Sequence, residues 1–195
     1  MTRIIGGESG GRRIVTPAGE RTRPTSDRVR EALFSSVDAE LGSLAGLRFL
    51  DVYAGSGAVG LEARSRGAGV VTLVEHDRRT AAVIRDNVRR LAMTGVEVVV
   101  ADDARALAQH PRAPYDVVFL DPPYAVPVED VVFALGALRD HDWLAHGALV
   151  VVERSSRGPA LGWPQGFAAD RTRRYGETVL CYGHATSPTP DGGAG

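Results

Sequence analysis

The tetrapeptide Asp121-Pro122-Pro123-Tyr124 is the segment whose residue types most clearly favour chemistry. Two consecutive prolines fix the backbone and remove two N–H donors, so the turn offers only acceptors, the Asp121 carboxylate and the Pro122 carbonyl. Such acceptors hold the two hydrogens of an amino group and aim its nitrogen at an electrophile, which needs mainly positioning. Asp121 can also take the released proton, and Tyr124 offers a ring face for an unstacked base. The alternative is a structural Asp-Pro-Pro turn with a packed aromatic ring.

A second candidate site is the segment 49–62, Phe-Leu-Asp-Val-Tyr-Ala-Gly-Ser-Gly-Ala-Val-Gly-Leu-Glu. It has the pattern of a strand, a glycine-rich turn and a helix start. Glycine in the turn lets the backbone approach a ligand with no Cβ in the way. The turn residues predicted to bind a ligand are Ala54, Gly55, Ser56 and Gly57. Similar turns bind NAD or FAD, so the acids around this one decide between the cofactors.

Acidic residues follow three predicted strands. Asp51 suits the cationic amino group of a methionine moiety and opposes a pyrophosphate; a turn or capping role is its alternative. Glu75 can accept both hydroxyls of a ribose, with His76 beside it, unless it is simply a surface acid. Asp102 and Asp103 follow the third strand, where an adenine edge can be read; we favour Asp102, and one of the two caps the next helix. Together these acids favour S-adenosylmethionine over a dinucleotide.

The elements that must position these residues follow from position 47 onward. Short apolar runs, typical of strands buried in a parallel sheet, alternate with helical stretches. The predicted strands are 47–53, 70–75, 96–100, 116–120 and 148–153, and the predicted helices are 59–66, 77–91, 104–109 and 128–138. Segments 167–175 and 178–182 predict an antiparallel hairpin. The expected fold is α/β, with a seven-stranded, mostly parallel sheet and a C-terminal hairpin, the Rossmann-like topology of class I methyltransferases.

The N-terminal part of the chain is basic. Residues 1–30 carry seven arginines against three acids, although the whole chain has a net charge of −1. A basic arm on a neutral body fits contact with phosphates, and a merely solvated tail is the alternative. The arm arginines predicted to contact RNA are Arg3, Arg12, Arg13 and Arg23.

Three segments are expected along the chain. Residues 1–23 predict a short hairpin or extended arm, residues 24–184 the main domain, and the Pro- and Gly-rich residues 185–195 a disordered tail. Thr25 or Ser26 is expected to cap a helix at the start of the domain. That helix shows an apolar residue at every fourth position, namely Val29, Leu33, Val37 and Leu41.

Composition narrows the class of protein. The chain has 195 residues, enough for one domain, and no apolar run approaches the roughly 18 residues that span a bilayer. Cys181 is the only cysteine, and the five histidines show no ligand-like spacing. We therefore expect a metal-free, cytoplasmic protein that does not bind membranes.

These motifs closely resemble those of the RsmD family of bacterial 16S rRNA (guanine-N2) methyltransferases. The segment 23–34 shares in this resemblance, with the sequence Arg-Pro-Thr-Ser-Asp-Arg-Val-Arg-Glu-Ala-Leu-Phe. The resemblance covers about residues 2–183. It implies transfer of a methyl group from S-adenosylmethionine to N2 of guanine 966 in 16S rRNA of the 30S particle, by a monomer, with S-adenosylhomocysteine as product. It also places Thr25 and Arg28 near the crevice, among the RNA-contacting residues. Related adenine- and glutamine-specific enzymes usually carry Asn at the position of Asp121, which favours guanine.

Other functions remain alternatives at this point. One is an amino methyltransferase acting on DNA, another RNA or a small molecule, although DNA enzymes usually add a target-recognition domain. Another is a non-enzymatic RNA-binding assembly factor with a vestigial cofactor site. An NAD-dependent oxidoreductase is disfavoured, because Asp51 opposes a pyrophosphate and no acid suited to hydride transfer is evident.

Overall fold

The structure, a computed structural model, describes residues 2–17 and 26–186, without the side chains of 103 and 104. Its strands are β1 (Thr2–Arg3), β2 (Arg13–Ile14), β3 (Arg48–Val52), β4 (Val70–Glu75), β5 (Val96–Val100), β6 (Tyr115–Leu120), β7 (Leu144–Ser155), β8 (Phe167–Tyr175) and β9 (Thr178–Ala185). Seven strands form one sheet in the order β5-β4-β3-β6-β7-β9-β8. The first five are parallel, and β9 and β8 complete the sheet as an antiparallel hairpin. The predicted fold class is confirmed.

Five helices cover the two faces of this sheet in the described residues: α1 (Asp27–Leu41), α2 (Ala58–Ser65), α3 (Arg78–Leu91), α4 (Asp103–Leu107) and α5 (Val128–Asp140). Apolar residues of α1, α2 and α3 pack with alternate strand residues such as Phe119 and Val151. Residues of α4 and α5 pack with the intervening ones, such as Leu120 and Val152, on the opposite face. No helix in the described ranges is long and apolar enough to cross a membrane.

The sheet strands follow the predicted segments, with longer ends at β7 and β9. β7 begins at Leu144, which pairs with Tyr115 before a register shift brings Leu149 opposite Val117. β9 continues to Ala185, which pairs with Phe167 and is the first residue of the predicted tail. Residue-to-residue pairing rather than local propensity sets these ends, so the sequence pattern stops short of them.

The N-terminal arm is a hairpin that is packed onto the domain. β1 pairs antiparallel with β2, and Ile4 and Ile14 are buried against α2 and the end of α3. The buried Glu62 carboxylate of α2 accepts hydrogen bonds from the backbone N–H groups of Ile5 and Gly6, at 2.6 and 2.8 Å. The predicted hairpin is confirmed, and its described part is packed against the core of the protein.

Candidate active site

The carboxyl ends of four neighbouring parallel strands meet in one row. The register pairs Val52 with both Val74 and Leu120, and it pairs Leu120 with Val152. The next residues along these strands are Glu75, Tyr53, Asp121 and Glu153. Because ligands of open α/β sheets bind outside the carboxyl ends of the strands, this row is the floor of the candidate site. The glycine turn and the Asp-Pro-Pro-Tyr turn both leave the sheet from it.

Asp51 stands one residue before this row on β3 and is only 1% exposed. Its Oδ2 accepts a hydrogen bond from the Gly60 N–H at 2.8 Å. Burial raises its pKa to about 8; the Gly60 N–H acts in the opposite direction, and the charges of Asp121 and Glu75 raise the pKa further. The carboxyl group thus holds the start of α2, as in the turn or capping alternative, and its contact with a ligand's amino group stays a prediction.

The glycine turn is tightly held between β3 and α2. Gly57 lies in the left-handed region at φ 78°, and a Cβ there would meet the Ile84 and Leu73 side chains at 3.0–3.2 Å. Tyr53, which precedes the turn, has φ 66°, a conformation that costs a non-glycine residue free energy and is concentrated at functional sites. Ala54 and Ser56 are buried, and Gly55 is the partly exposed residue at the tip.

Glu75 ties the turn to the next strand. Its Oε2 accepts a hydrogen bond from the Gly55 N–H at 2.9 Å, and its Oε1 accepts one from the Asp77 N–H at 2.8 Å. The Nδ1 of the exposed His76 lies 3.1 Å from Oε1. The carboxylate is 5% exposed, so the alternative of a solvated surface acid is wrong. It stands at the wall of the turn, where the ribose contact was predicted.

Asp102 makes the helix cap that was expected of one of the two acids. Its Oδ1 accepts a hydrogen bond from the Arg105 N–H at 2.7 Å, which caps α4. Contact of this side chain with an adenine edge stays a prediction. The Asp103 side chain lies outside the described residues. Asp102 and His76 both line a groove of about 520 Å³ that continues beside α4 to Tyr115 and Trp143, a volume in the range of small-molecule sites.

The Asp-Pro-Pro-Tyr turn begins directly at the end of β6. The Asp121 N–H still donates to the Val52 carbonyl, at 3.3 Å, and the Pro123 carbonyl accepts the Val126 N–H at 2.8 Å. Pro122 is buried, whereas the Tyr124 side chain is 54% exposed. The exposure of Tyr124 excludes the alternative of an aromatic ring packed in the core, and leaves its face open to a partner.

Two residues that the sequence analysis did not single out support this turn. Arg154, buried at the end of β7, donates from Nη2 to the Val126 carbonyl at 3.0 Å and so anchors the segment after Tyr124. Glu153 is also buried, at 4% exposure, and the Thr178 hydroxyl lies 3.5 Å from both its Oε1 and the Tyr124 hydroxyl. The signal available in the sequence is that Glu153 ends the predicted strand 148–153 as Glu75 ends the predicted strand 70–75.

The predicted RNA-contacting residues fall into three groups. Arg12 is exposed, but its guanidinium donates to the Leu91 carbonyl at 3.0 Å and to the Arg90 carbonyl, where it caps the end of α3, and its contact with RNA stays a prediction. Arg3, Arg13 and Arg28 are exposed; Arg3 lies 3.8 Å from the Asp27 carboxylate. Arg23 and Thr25 lie outside the described residues. Ser26 caps α1, since its hydroxyl accepts the Val29 N–H at 3.3 Å.

Comparison with known proteins decides the family. Residues 2–184 match the model of a family described as Conserved hypothetical protein 95. The chain is also 37% identical over 182 residues to Ribosomal RNA small subunit methyltransferase D of Escherichia coli (strain K12), which covers 91% of this chain and 86% of that relative. The chain belongs to the RsmD family. The resemblance seen in the sequence motifs is confirmed.

Solved structures agree with membership of the RsmD family. The chain matches a structure described as "Putative methyltransferase yhhF from Escherichia coli" with a TM-score of 0.84 and 32% identity, over 95% of this chain and 98% of that one. It matches magnesium protoporphyrin IX methyltransferase from Synechocystis with a TM-score of 0.64 and 15% identity, over 82% and 79%, a likeness of fold alone. This member of the RsmD family is a methyltransferase.

Proposed function

We propose that the protein transfers a methyl group from S-adenosylmethionine to the exocyclic N2 of a guanine in 16S rRNA, within the 30S particle. The observation that carries the proposal is the shared row: the acceptor-only turn at Asp121 leaves the sheet on the strand adjacent to the acid-lined glycine turn. An amino group held by the first turn therefore lies close to a ligand bound by the second. The E. coli relative's name supplies the rRNA substrate class.

The residues at the glycine turn fit S-adenosylmethionine. Three carboxyl groups, of Asp51, Glu75 and Asp121, are close enough for the latter two to raise the pKa of Asp51. The charges of Glu75 and Asp121 attract a ligand that carries a sulfonium and an ammonium group and repel a pyrophosphate, and a bound cation would in turn favour ionisation of Asp51. Gly55 and Glu75 stand where the predicted ribose contact would be made, and the groove lined by His76 has room for the adenosine part.

The protein's own residues would act by positioning and by accepting protons. The Asp121 carboxylate and the Pro122 carbonyl accept hydrogen bonds from the two N–H groups of guanine N2, which turns its lone pair toward the methyl donor. Bound S-adenosylmethionine supplies the methyl group, so an N–C bond forms as the C–S bond breaks and the electron pair stays on sulfur. The proton lost from N2 passes to Asp121 and then to water. The exposed ring of Tyr124 stacks on the flipped base.

Exposed arginines of the hairpin and of α1 suit an RNA substrate. Arg28 is in the first turn of α1, and Arg3 and Arg13 lie on the paired strands of the hairpin. The relatives' names fit contact with rRNA phosphates. We assign the enzyme to the cytoplasm as a monomer, where it would meet assembling small subunits.

The test uses labelled S-adenosylmethionine, the protein and unmodified 30S particles, with naked DNA as a competitor. Label should appear on N2 of one guanine, and mass spectrometry of 16S rRNA from a strain that lacks the gene should show guanine 966 unmethylated. Label on adenine, on protein or on the DNA would contradict the proposal.

The variant Asp121→Ala tests the assignment of the acceptor turn. It removes the carboxylate acceptor and should lower kcat at least about 100-fold, while calorimetry should show a Kd for S-adenosylmethionine within a few-fold of the wild type. Asp140→Ala, an exposed change at the far end of α5, is the control. Equal loss of turnover and cofactor binding would show that Asp121 belongs to the cofactor site instead.

A further inference from the structure

We propose that Glu153 is the residue that selects guanine, by accepting a hydrogen bond from the ring N1–H next to the amino group being methylated. The inference rests on the proposed function and adds a specificity residue to it. It starts from the position of Glu153 rather than from the identity of Asp121.

Glu153 and Asp121 are side by side on the same face of the sheet. Leu120 pairs with Val152, so the following residues of the two parallel strands are adjacent, and side chains directly opposite on one face lie roughly 5 Å apart. Side chains alternate along a strand. Phe119 and Val151 point into the core beneath α1, so Asp121 and Glu153, two residues further, project toward that same face.

The surroundings of Glu153 fix its carboxylate in place. The side chain is 4% exposed, and its Oε1 lies 3.5 Å from the Thr178 hydroxyl. That hydroxyl is in turn 3.5 Å from the hydroxyl of Tyr124. A carboxylate is rarely buried without polar partners, since removing its charge from water is costly. Glu153 is thus a positioned acceptor between the amino-holding turn and the aromatic ring on which the base would rest.

The hydrogen-bonding edges of the bases make such an acceptor selective. In guanine the ring atom N1 beside the amino group carries a hydrogen and donates. In adenine and cytosine the corresponding ring nitrogen has a lone pair and accepts, so it would face the carboxylate oxygen with no hydrogen between them. Asp121 and Pro122 hold any amino group alike, whereas a buried acceptor beside them rejects a base that lacks the second donor.

The test compares two RNAs, the second of which lacks the N1 hydrogen together with the O6 carbonyl. 2-Aminopurine keeps the exocyclic N2 amino group but has an unprotonated N1 and a C6–H, so only the part of the preference that a Glu153 variant removes is assigned to N1. Small-subunit particles reconstituted with guanine or 2-aminopurine at the target position are compared under single-turnover conditions, and the Kd of each is measured. Wild-type protein should prefer guanine by at least about tenfold. Glu153→Gln, whose amide can donate to N1, should reduce that preference at least about tenfold.

The preference is a ratio, so it is independent of the fraction of folded protein and can be obtained from the two Kd values even for an inactive variant. Glu153→Ala should reduce it as well, and Asp140→Asn at the end of α5 should leave it unchanged. If Glu153→Gln keeps the wild-type preference for guanine over 2-aminopurine, Glu153 does not select the base. The same holds if the variant loses activity equally toward both particles. If wild-type protein methylates neither particle, the proposed function itself fails.

Discussion

Asp51 shows how one buried residue links the stability of the fold to the site. Its carboxyl group is enclosed by β3 and α2, accepts the Gly60 N–H, and has a pKa that burial raises from the ordinary 3.8 to about 8. Over the range between these values the folded protein retains a proton that the unfolded chain has lost. Stability therefore decreases as pH rises from about 4 to about 8, and the part contributed by this proton is fully present only below that range.

The variant Asp51→Asn should weaken this pH dependence. Asparagine can still accept the Gly60 N–H but has no proton to lose, so on the order of 1 kcal/mol per pH unit should disappear from the slope between pH 5 and pH 8. Chemical denaturation at four or five pH values measures this, with Asp140→Asn as the control. A slope identical to that of the wild type would mean that Asp51 is ionised throughout in the folded protein.

At the scale of elements, the hairpin of β1 and β2 is held by specific close contacts. Gly7 has φ 76°, and a Cβ on it would come within 1.9 Å of the Ser65 carbonyl oxygen. The backbone of the hairpin therefore touches the end of α2 directly. Arg30 of α1, fully buried, adds a second attachment, since its Nη2 donates to the Arg3 carbonyl at 2.7 Å.

Gly7→Ala should consequently detach the hairpin from α2. The added methyl group has no space, and we expect the free energy of unfolding to decrease by about 3 kcal/mol or more. Gly11→Ala is the matched control, because Gly11 has φ 82° but open space around its Cα, so it should cost only about 1 kcal/mol of backbone strain. Equal losses in both variants would indicate that the hairpin is not packed as described.

At the scale of the whole molecule, the net charge of −1 gives no general attraction for nucleic acid. Binding to RNA must then depend on where arginines are free. Arg12, Arg13 and Arg28 are all exposed, but the Arg12 guanidinium is hydrogen-bonded to carbonyls at the end of α3. Arg12 and Arg13, which are neighbours in sequence, thus differ in what they can offer to a phosphate.

Arg13→Ala and Arg28→Ala should each weaken binding to 30S particles and reduce the slope of log K against log salt by about 1. Arg12→Ala should instead lower the Tm by a few degrees and leave that slope unchanged, because it removes a helix cap. Filter binding at several salt concentrations and thermal melts give both quantities. If only Arg12→Ala reduced the slope of log K against log salt, then Arg12, and not Arg13 or Arg28, would be the arginine that contacts phosphate.

The fold could be predicted from the sequence because its signals are local. These signals are the hydrophobic periods of the strands and helices and the turns at 55–57 and 121–124. The hydrogen-bond partners of individual side chains could not be predicted in this way. Whether Asp102 reads a base or caps α4, and whether Arg12 is free, depends on groups brought close by folding. Glu153 was missed for the same reason: its nearness to Asp121 is a property of the β6–β7 register.

Helix α2 connects the glycine turn with the N-terminal hairpin. Gly60, in its first turn, is held by Asp51 beside the glycine turn, and Glu62, two residues later, holds the hairpin. One eight-residue helix therefore serves as the common support of both regions. Two ligands that each favour the ordered form of a shared element strengthen each other's binding by the same factor. Thermodynamic linkage between cofactor and RNA needs no moving domain in such a molecule, because this single short helix can carry it.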